Sequence, residues 1–197
     1  MKQIVITGPK HSGKTNAGKA LAKLVKVCEF IDLDELIFQK TGKTPRQIFT
    51  ESEETFKKIE AEIVAELLHN HPLDKRLGNG RIIAAGGGII DNPDAMAALE
   101  EARKRKPADG FWNTIVIYLD ISAGCAWGRI TQTFSLQTGV ELPPFLQTEN
   151  PQETHRILHE RRSAAYRQIA GVIIEAEEKS PEQIADEIAE ITSFSLL

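Results

Sequence analysis

The sequence has little that would bind a polyanion, cross a membrane or direct export. Its 28 acidic residues outnumber its 24 lysines and arginines, the formal net charge is −4, and no basic stripe with interleaved aromatic residues occurs. Nucleic-acid binding is therefore not expected. No apolar run approaches the roughly 18 residues of a membrane-spanning helix, and the first residues lack the apolar region and cleavage site of a signal peptide. We therefore expect a cytoplasmic protein with no membrane partner.

Cysteine is also scarce. Cys28 and Cys125 are far apart and form no Cys-x-x-Cys pair, so neither a zinc site nor a disulfide framework is indicated. The length of 197 residues, with 41% hydrophobic and 26% charged residues, is that of one ordinary globular domain. We expect residues 1–197 to form a single domain that acts as a monomer.

Five short β-branched runs alternate with longer segments of helical period. The runs are residues 3–7, 27–31, 81–85, 114–119 and 172–174. This alternation favours right-handed crossovers, a parallel sheet and helices on both faces of that sheet. The sequence therefore predicts an α/β fold, a three-layer sandwich around a five-stranded parallel sheet.

Several helix starts can be predicted from a polar cap that is followed by proline. These caps are Thr44, Asn92, Asn150 and Ser180. A further helix follows Ser52, and its apolar residues are expected to belong to the core rather than to a functional site. They are Phe56, Ile59, Ile63, Val64, Leu67 and Leu68. Residues 72–80 and 131–150 fit neither the strand period nor the helix period. The second stretch is long enough for a lid over the active site.

A phosphate-binding loop is predicted at residues 8–15. Their sequence, Gly-Pro-Lys-His-Ser-Gly-Lys-Thr, matches G-x-x-x-x-G-K-[ST] and lies between a strand and a helix, as the motif requires. Lys14 is expected to span the β- and γ-phosphates of ATP, and Thr15 to bind Mg²⁺. His11 is expected to be an exposed spacer. The other predicted ATP-binding residues of this loop are Gly8, Lys10, Ser12 and Gly13.

Two acidic residues and three glycines follow the next two strands. Asp32 and Asp34 could hold the metal and accept a proton from an attacking hydroxyl, or they could cap the next helix. Beside a phosphate-binding loop we favour the first interpretation, because ligands bind beyond the carboxyl ends of such strands. Gly86, Gly87 and Gly88 fill no core space, so we expect a bound metabolite close to their backbone, with a tight turn as the alternative.

Together these motifs resemble the shikimate kinase family, among the nucleoside-monophosphate-kinase-like P-loop proteins. The resemblance covers essentially the whole chain, and its segments are residues 8–15, 32–34, 48–49, 56–60, 86–88 and 162–166. It implies a P-loop NTPase fold of strand order 2-3-1-4-5, with a substrate-binding region at 32–70 and a lid at 131–150. It also implies an ATP- and Mg²⁺-dependent kinase that phosphorylates a small anionic hydroxy-acid, shikimate first of all.

The resemblance also implies roles by position. Asp34 would accept a hydrogen bond from the substrate hydroxyl, with Lys14 as the other catalytic residue, and Asp32 would support Mg²⁺. Arg129 and Pro181 would lie beside the adenine of ATP. The substrate-binding residues would be Asp34, Lys57, Gly86, Gly87, Gly88 and Arg162, with Arg162 holding the carboxylate.

Two positions depart from the family pattern. Lys57 stands where the family has arginine, which replaces a planar fork by a point charge. Pro143 stands where the family's lid has arginine. A replacement charge could come from Lys10, Arg156 or Arg161. The departures leave two alternatives open: a kinase for another small hydroxy-acid or polyol, and a nucleotide-binding regulatory homologue with weak catalysis.

Overall fold

The computed structural model describes residues 2–25, 28–69, 80–105, 113–136 and 142–193. The strands are β1 Lys2–Thr7, β2 Cys28–Asp32, β3 Gly80–Ala84, β4 Asn113–Asp120 and β5 Val172–Glu175. They form one parallel sheet in the order β2-β3-β1-β4-β5. The predicted strand order and the parallel sheet are both confirmed. Val27, the predicted start of β2, lies outside the described residues, as do 72–79 and 137–141.

Helices connect these strands. They are α1 Lys14–Val25, α2 Leu33–Thr41, α3 Pro45–Glu51, α4 Glu53–His69, α5 Pro93–Lys104, α6 Ala123–Leu136, α7 Pro151–Ile169 and α8 Pro181–Thr192. The four predicted caps are confirmed, because each side chain accepts a hydrogen bond from the backbone N–H three residues later. Among the described helices, none combines the length and the apolar character needed to cross a bilayer.

The sheet separates two hydrophobic clusters. In β1, Ile4 and Ile6 face the cluster formed with α1, α6 and α8, whereas Val5 faces the cluster formed with α2, α3, α4, α5 and α7. All three side chains are at most 2% exposed. Strands covered on both faces are expected to be apolar throughout, which explains why the β-branched runs could be recognised in the sequence. The predicted three-layer sandwich is confirmed.

The apolar stripe of α4 packs as predicted for its buried part. Ile63, Val64 and Leu68 are each 5% exposed and belong to the cluster that α4 forms with α2, α3, α5 and α7. Phe56 is only partly buried, and it also faces the cavity described below. The expectation that this stripe serves the core alone is therefore wrong for Phe56.

Helix α6 is longer than expected. It continues to Leu136, six residues into the 131–150 stretch that was expected to be irregular. The hydroxyl groups of Thr131 and Thr133 donate to backbone carbonyls of the preceding turn, at 3.1 and 2.9 Å from their acceptors. These hydrogen bonds satisfy the two hydroxyl groups within the helix, which therefore accommodates polar residues without the apolar spacing on which the prediction relied. Residues 144–146 form a short 3₁₀ turn.

Candidate active site

The carboxyl ends of β1, β2 and β3 open into a cavity of about 520 Å³. Ligands of open parallel sheets bind at this end of the strands. Most predicted site residues line this cavity, namely Lys10, Gly13, Lys14, Thr15, Asp32, Asp34, Gly86, Gly87, Gly88 and Arg162. Residues from four separate parts of the sequence are thus brought together. The predicted site residues that are not part of this lining are Gly8, Ser12, Lys57, Arg129 and Pro181.

The loop between β1 and α1 has the backbone that phosphate binding requires. Gly8 has φ +145°, and a Cβ atom there would lie 2.7 Å from the carbonyl oxygen of Leu119. Any other residue would therefore strain the loop and displace its neighbour. Lys14 Nζ donates to the carbonyl oxygens of Gly8 and Pro9, at 3.1 and 2.8 Å. Burial lowers the pKa of Lys14 to about 8, although Asp34 and Asp32 oppose the shift.

A buried hydroxyl in this loop fits a bound phosphate. Ser12 is 1% exposed, and its Oγ has no hydrogen-bond partner among the described residues. A buried polar atom without a partner costs about 1 to 3 kcal/mol. A phosphate oxygen would satisfy this hydroxyl. The residues present therefore fit a nucleotide polyphosphate.

Thr15 and Asp32 form a pair of oxygen ligands that fits Mg²⁺. The Thr15 hydroxyl donates to Asp32 Oδ2 at 2.6 Å. Asp32 Oδ1 accepts from the backbone N–H groups of Asp34 and Glu35, at 3.0 and 3.3 Å, and so caps α2. The two interpretations of Asp32 are thus compatible, because one carboxylate has an oxygen for each. Mg²⁺ usually takes one or two protein ligands together with phosphates and water, and the described residues contain no cluster of three or more acidic, His or Cys ligands.

Two carboxyl groups in the cavity hold their protons more tightly than usual. Burial and the neighbouring Asp32 raise the pKa of Asp34, against the opposing charges of Lys14 and Lys10. Burial raises the pKa of Glu60 to about 7, although the Asn92 amide donates to it at 2.9 Å. Sequence reasoning missed Glu60. The available signal was a charged residue four positions after Phe56 on the apolar stripe of α4.

The three glycines lie where backbone and side chains approach closely. A Cβ at Gly86 would lie 3.2 Å from a Glu60 oxygen and 3.3 Å from an Asp34 oxygen. A Cβ at Gly87 would lie 3.0 Å from the backbone nitrogen of Lys10. These approaches involve the protein itself, and the glycines also turn the chain into the 3₁₀ helix at Ile89–Asp91. Contact between these glycines and a bound metabolite remains a prediction.

Arg162 of α7 enters the cavity with its guanidinium already positioned. Its Nε and Nη2 lie 2.8 and 2.7 Å from Asp91 Oδ2, and Nη1 lies 3.4 Å from the Gly87 carbonyl oxygen. The guanidinium also lies over the Phe145 ring, 5.6 Å from its centroid. An arginine fixed in this way can bind a carboxylate with little further loss of conformational freedom.

Two predicted binding residues have other partners in this structure, and a third begins a helix. Lys57 Nζ lies 2.7 Å from Glu53, one turn earlier on α4. Arg129 donates to the carbonyl oxygens of His11 and Glu177, at 3.1 and 2.9 Å. Pro181 is the first residue of α8. Their roles in binding substrate or adenine therefore remain predictions.

His11 differs from expectation. It lines the cavity and is only partly exposed, whereas an exposed spacer was expected. Its φ of +62° lies in the left-handed region, which is unfavourable for a residue with a Cβ. Burial and the charges of Lys10, Lys14 and Arg129 lower its pKa.

The cavity also contains an arginine that sequence reasoning missed. Arg46, near the start of α3, lines the cavity, and its Nη2 donates to the carbonyl oxygen of Leu142 at 3.3 Å. Of the three replacement charges considered, Lys10 lines the cavity. Arg156 instead pairs with acidic neighbours on α7, and Arg161 pairs with Asp91.

Comparison with known proteins finds relatives that match nearly the whole chain. Residues 10–193 match the family model described as shikimate kinase. The shikimate kinase of Shewanella denitrificans is 30% identical over 98% of both chains, and that of Shewanella oneidensis is 29% identical over the same shares. A solved shikimate kinase from Acinetobacter baumannii, in complex with shikimate, is 29% identical with a TM-score of 0.76, covering 100% of this chain and 96% of that one. The shikimate kinase of Bacteroides thetaiotaomicron, 23% identical with a TM-score of 0.69 over 98% of each chain, shares the fold.

Proposed function

Because this chain belongs to the shikimate kinase family, we propose that it transfers the γ-phosphate of ATP to a hydroxyl group of shikimate. The products would be ADP and shikimate 3-phosphate. The observation that carries this proposal is that one cavity is lined by the phosphate-binding loop, by Asp34 and by Arg162. A phosphate donor and an anionic hydroxy-acid can therefore bind side by side.

The donor side consists of the loop after β1 and the end of β2. MgATP supplies the phosphoryl group, and its metal neutralises charge on the phosphate oxygens. Lys14 exchanges its contacts with the Gly8 and Pro9 carbonyl oxygens for contacts with the β- and γ-phosphates. Thr15 and Asp32 would hold the metal, and the Ser12 hydroxyl would donate to a phosphate oxygen.

The acceptor side consists of Asp34, the three glycines and Arg162. Asp34 accepts a hydrogen bond from the attacking hydroxyl and orients it. The raised pKa of Asp34 is suited to taking up the proton that this hydroxyl loses. Arg162, fixed by Asp91, binds the substrate carboxylate through charge-assisted hydrogen bonds. Catalysis then comes mainly from alignment and charge neutralisation.

The alternatives are less well supported. A kinase for another hydroxy-acid and a weakly catalytic regulatory homologue were suggested by Lys57 and Pro143, but the relatives matched over nearly the whole chain are named shikimate kinases. We further propose a cytoplasmic monomer of one domain that needs no nucleic-acid or membrane partner. Its support is that one cavity is lined by residues from Lys10 to Arg162, as in a single domain, and that the net charge of −4 comes without a basic stripe.

The test is steady-state formation of ADP from MgATP with and without shikimate. We expect turnover at about 1 to 100 per second, dependent on shikimate and abolished in Lys14→Ala. Lys23→Ala is the matched control, because Lys23 is exposed in the last turn of the same helix. If other hydroxy-acids or polyols are phosphorylated faster than shikimate, the proposed acceptor is wrong. If ATP binds but no acceptor supports turnover, the kinase proposal itself is wrong.

A further inference from the structure

Arg46 connects two parts of the cavity wall that are distant in the sequence. It is the second residue of α3, and it lines the cavity together with Lys14 and Asp34. Its guanidinium reaches across to the 142–150 segment, where it donates to the Leu142 carbonyl oxygen at 3.3 Å. This hydrogen bond joins the proposed acceptor region to the segment before α7.

The position of Arg46 is unfavourable for its own helix. The first turn of an α-helix exposes unpaired N–H groups and a partial positive charge, so a cation there destabilises the helix. In α3, Thr44 provides the cap, and the first turn contains no acidic residue. Arg46 thus occupies a first-turn position that does not favour a cation, and its guanidinium bonds outside its own helix, to the Leu142 carbonyl oxygen. Such exceptions are expected at functional sites.

A second cation lies close to Arg46. Lys10 of the phosphate-binding loop also lines the cavity. Its pKa is lowered chiefly because it is desolvated, and the charge of Arg46 lowers it further, while Asp34 opposes both effects. Like charges that face one space repel each other, and Asp34 offsets only part of the charge of Lys10, Lys14 and Arg46. The cavity wall next to the phosphate-binding loop is therefore suited to a polyanion.

We propose that Arg46 binds the terminal phosphate of the nucleotide and neutralises its charge during transfer, positioned by its hydrogen bond to the 142–150 segment. The inference rests on the proposed function in that the donor is MgATP. Pro143, next to Leu142, stands where the resembling family has its lid arginine. Arg46 brings a guanidinium to this side of the cavity from α3 instead.

The alternative role for Arg46 is binding of the acceptor carboxylate. Arg162 is better placed for that role, because Asp91 and the Gly87 carbonyl oxygen already fix it beside the three glycines. Arg46 instead is held on the Leu142 carbonyl oxygen, next to the position at which the family has its lid arginine, and it lines the same cavity as Lys14. This position favours the phosphate over the acceptor carboxylate.

The first test measures nucleotide binding without any acceptor. Calorimetric affinities for MgADP and for the non-hydrolysable ATP analogue MgAMPPNP are compared in wild type, Arg46→Ala and Arg156→Ala. We expect Arg46→Ala to lose roughly 10-fold or more in affinity for MgAMPPNP, with affinity for MgADP within about twofold of wild type. Arg156→Ala is the control, because Arg156 is exposed, lies outside the cavity lining and pairs with Glu153 and Glu160.

The second test measures turnover and stability. Arg46→Ala should lower kcat by about 10²-fold or more, change the shikimate KM by less than about threefold, and leave the unfolding midpoint in urea unchanged or higher. A raised shikimate KM at unchanged kcat in Arg46→Ala would overturn the assignment to the phosphate. The assignment would also be wrong if Arg46→Ala kept the wild-type ratio of affinities for MgAMPPNP and MgADP. A different result is that wild type fails to phosphorylate shikimate while Arg46→Ala still loses affinity for MgAMPPNP and not for MgADP. In that case shikimate is not the acceptor, and the role of Arg46 in binding the terminal phosphate stands.

Discussion

The hydroxyl of Thr15 and the carboxylate of Asp32 are joined by a 2.6 Å hydrogen bond between α1 and the end of β2. The two strands that precede these residues are not neighbours, because β3 lies between them in the sheet. The bond therefore spans the phosphate-binding end of the sheet. The second Asp32 oxygen caps α2, so this one side chain links the proposed metal site to the start of the acceptor region.

The two functions of Asp32 can be separated by substitution. Asparagine caps helices about as well as aspartate, so the free energy of unfolding of Asp32→Asn should lie within about 0.5 kcal/mol of the wild-type value. Because it loses the anionic ligand, it should need roughly 10-fold more Mg²⁺ for half-maximal turnover. Asp32→Ala should show the same metal defect and lose about 1 kcal/mol of stability as well. Magnesium titrations of turnover and urea unfolding without nucleotide measure the two effects, and a wild-type magnesium dependence in Asp32→Asn would leave Asp32 as a cap only.

Arg162 and Lys57 should contribute unequally to acceptor binding. Arg162→Ala removes a guanidinium from the cavity wall and should raise the shikimate KM by roughly 10- to 100-fold. Lys57→Ala should raise it by less than about threefold, because Lys57 pairs with Glu53 on the surface of α4. Arg161→Ala is the control, since Arg161 shares the Asp91 partner but is not part of the cavity lining. Equal effects of Arg162→Ala and Lys57→Ala on KM would show that Lys57 leaves Glu53 to bind the acceptor.

Glu60 should make the protein less stable as the pH rises towards 8. Its pKa is raised by burial from 4.5 to about 7 in the folded state, so between these values the folded protein binds more protons than the unfolded chain. The stabilisation that the protonated Glu60 carboxyl gives the folded state is therefore complete below about pH 4.5 and is lost as the pH rises through 7. Glu60→Gln, which cannot ionise, should gain on the order of 1 to 3 kcal/mol relative to wild type between pH 5 and pH 8. Urea unfolding of both proteins at the two pH values measures this difference, and a difference independent of pH would contradict the raised pKa.

The backbone at His11 should prefer glycine. With φ at +62°, His11→Gly is expected to raise the free energy of unfolding by about 1 kcal/mol, because the left-handed conformation then costs nothing. His11→Ala is the control that keeps the unfavourable φ. If His11→Ala stabilises equally, the gain comes from removing the imidazole from beside Lys10, Lys14 and Arg129, and not from the backbone.

Prediction from the sequence worked best where the signal is local. The β-branched runs, the proline-marked caps and the phosphate-binding loop each occupy a few consecutive residues, and the described part of the structure has them within one residue of the predicted places. The end of α6 was missed because it contains polar residues such as Thr131 and Thr133, whose hydroxyl groups bond to their own helix, and such residues leave no apolar period in the sequence. Glu60 was missed for a related reason, since its neighbours on α4 indicated only a core stripe.

The sequence by itself determined the order of strands and helices and the loop that fits a nucleotide, because hydrophobic period, capping and glycine backbone freedom act between near neighbours along the chain. Only the tertiary structure decided which charged side chains share the cavity. It fixes Arg162 on Asp91 and brings Arg46 to the 142–150 segment. These choices depend on how α3, α4 and α7 pack on one face of the sheet, and contacts between residues so far apart in sequence are set by that packing rather than by local pattern.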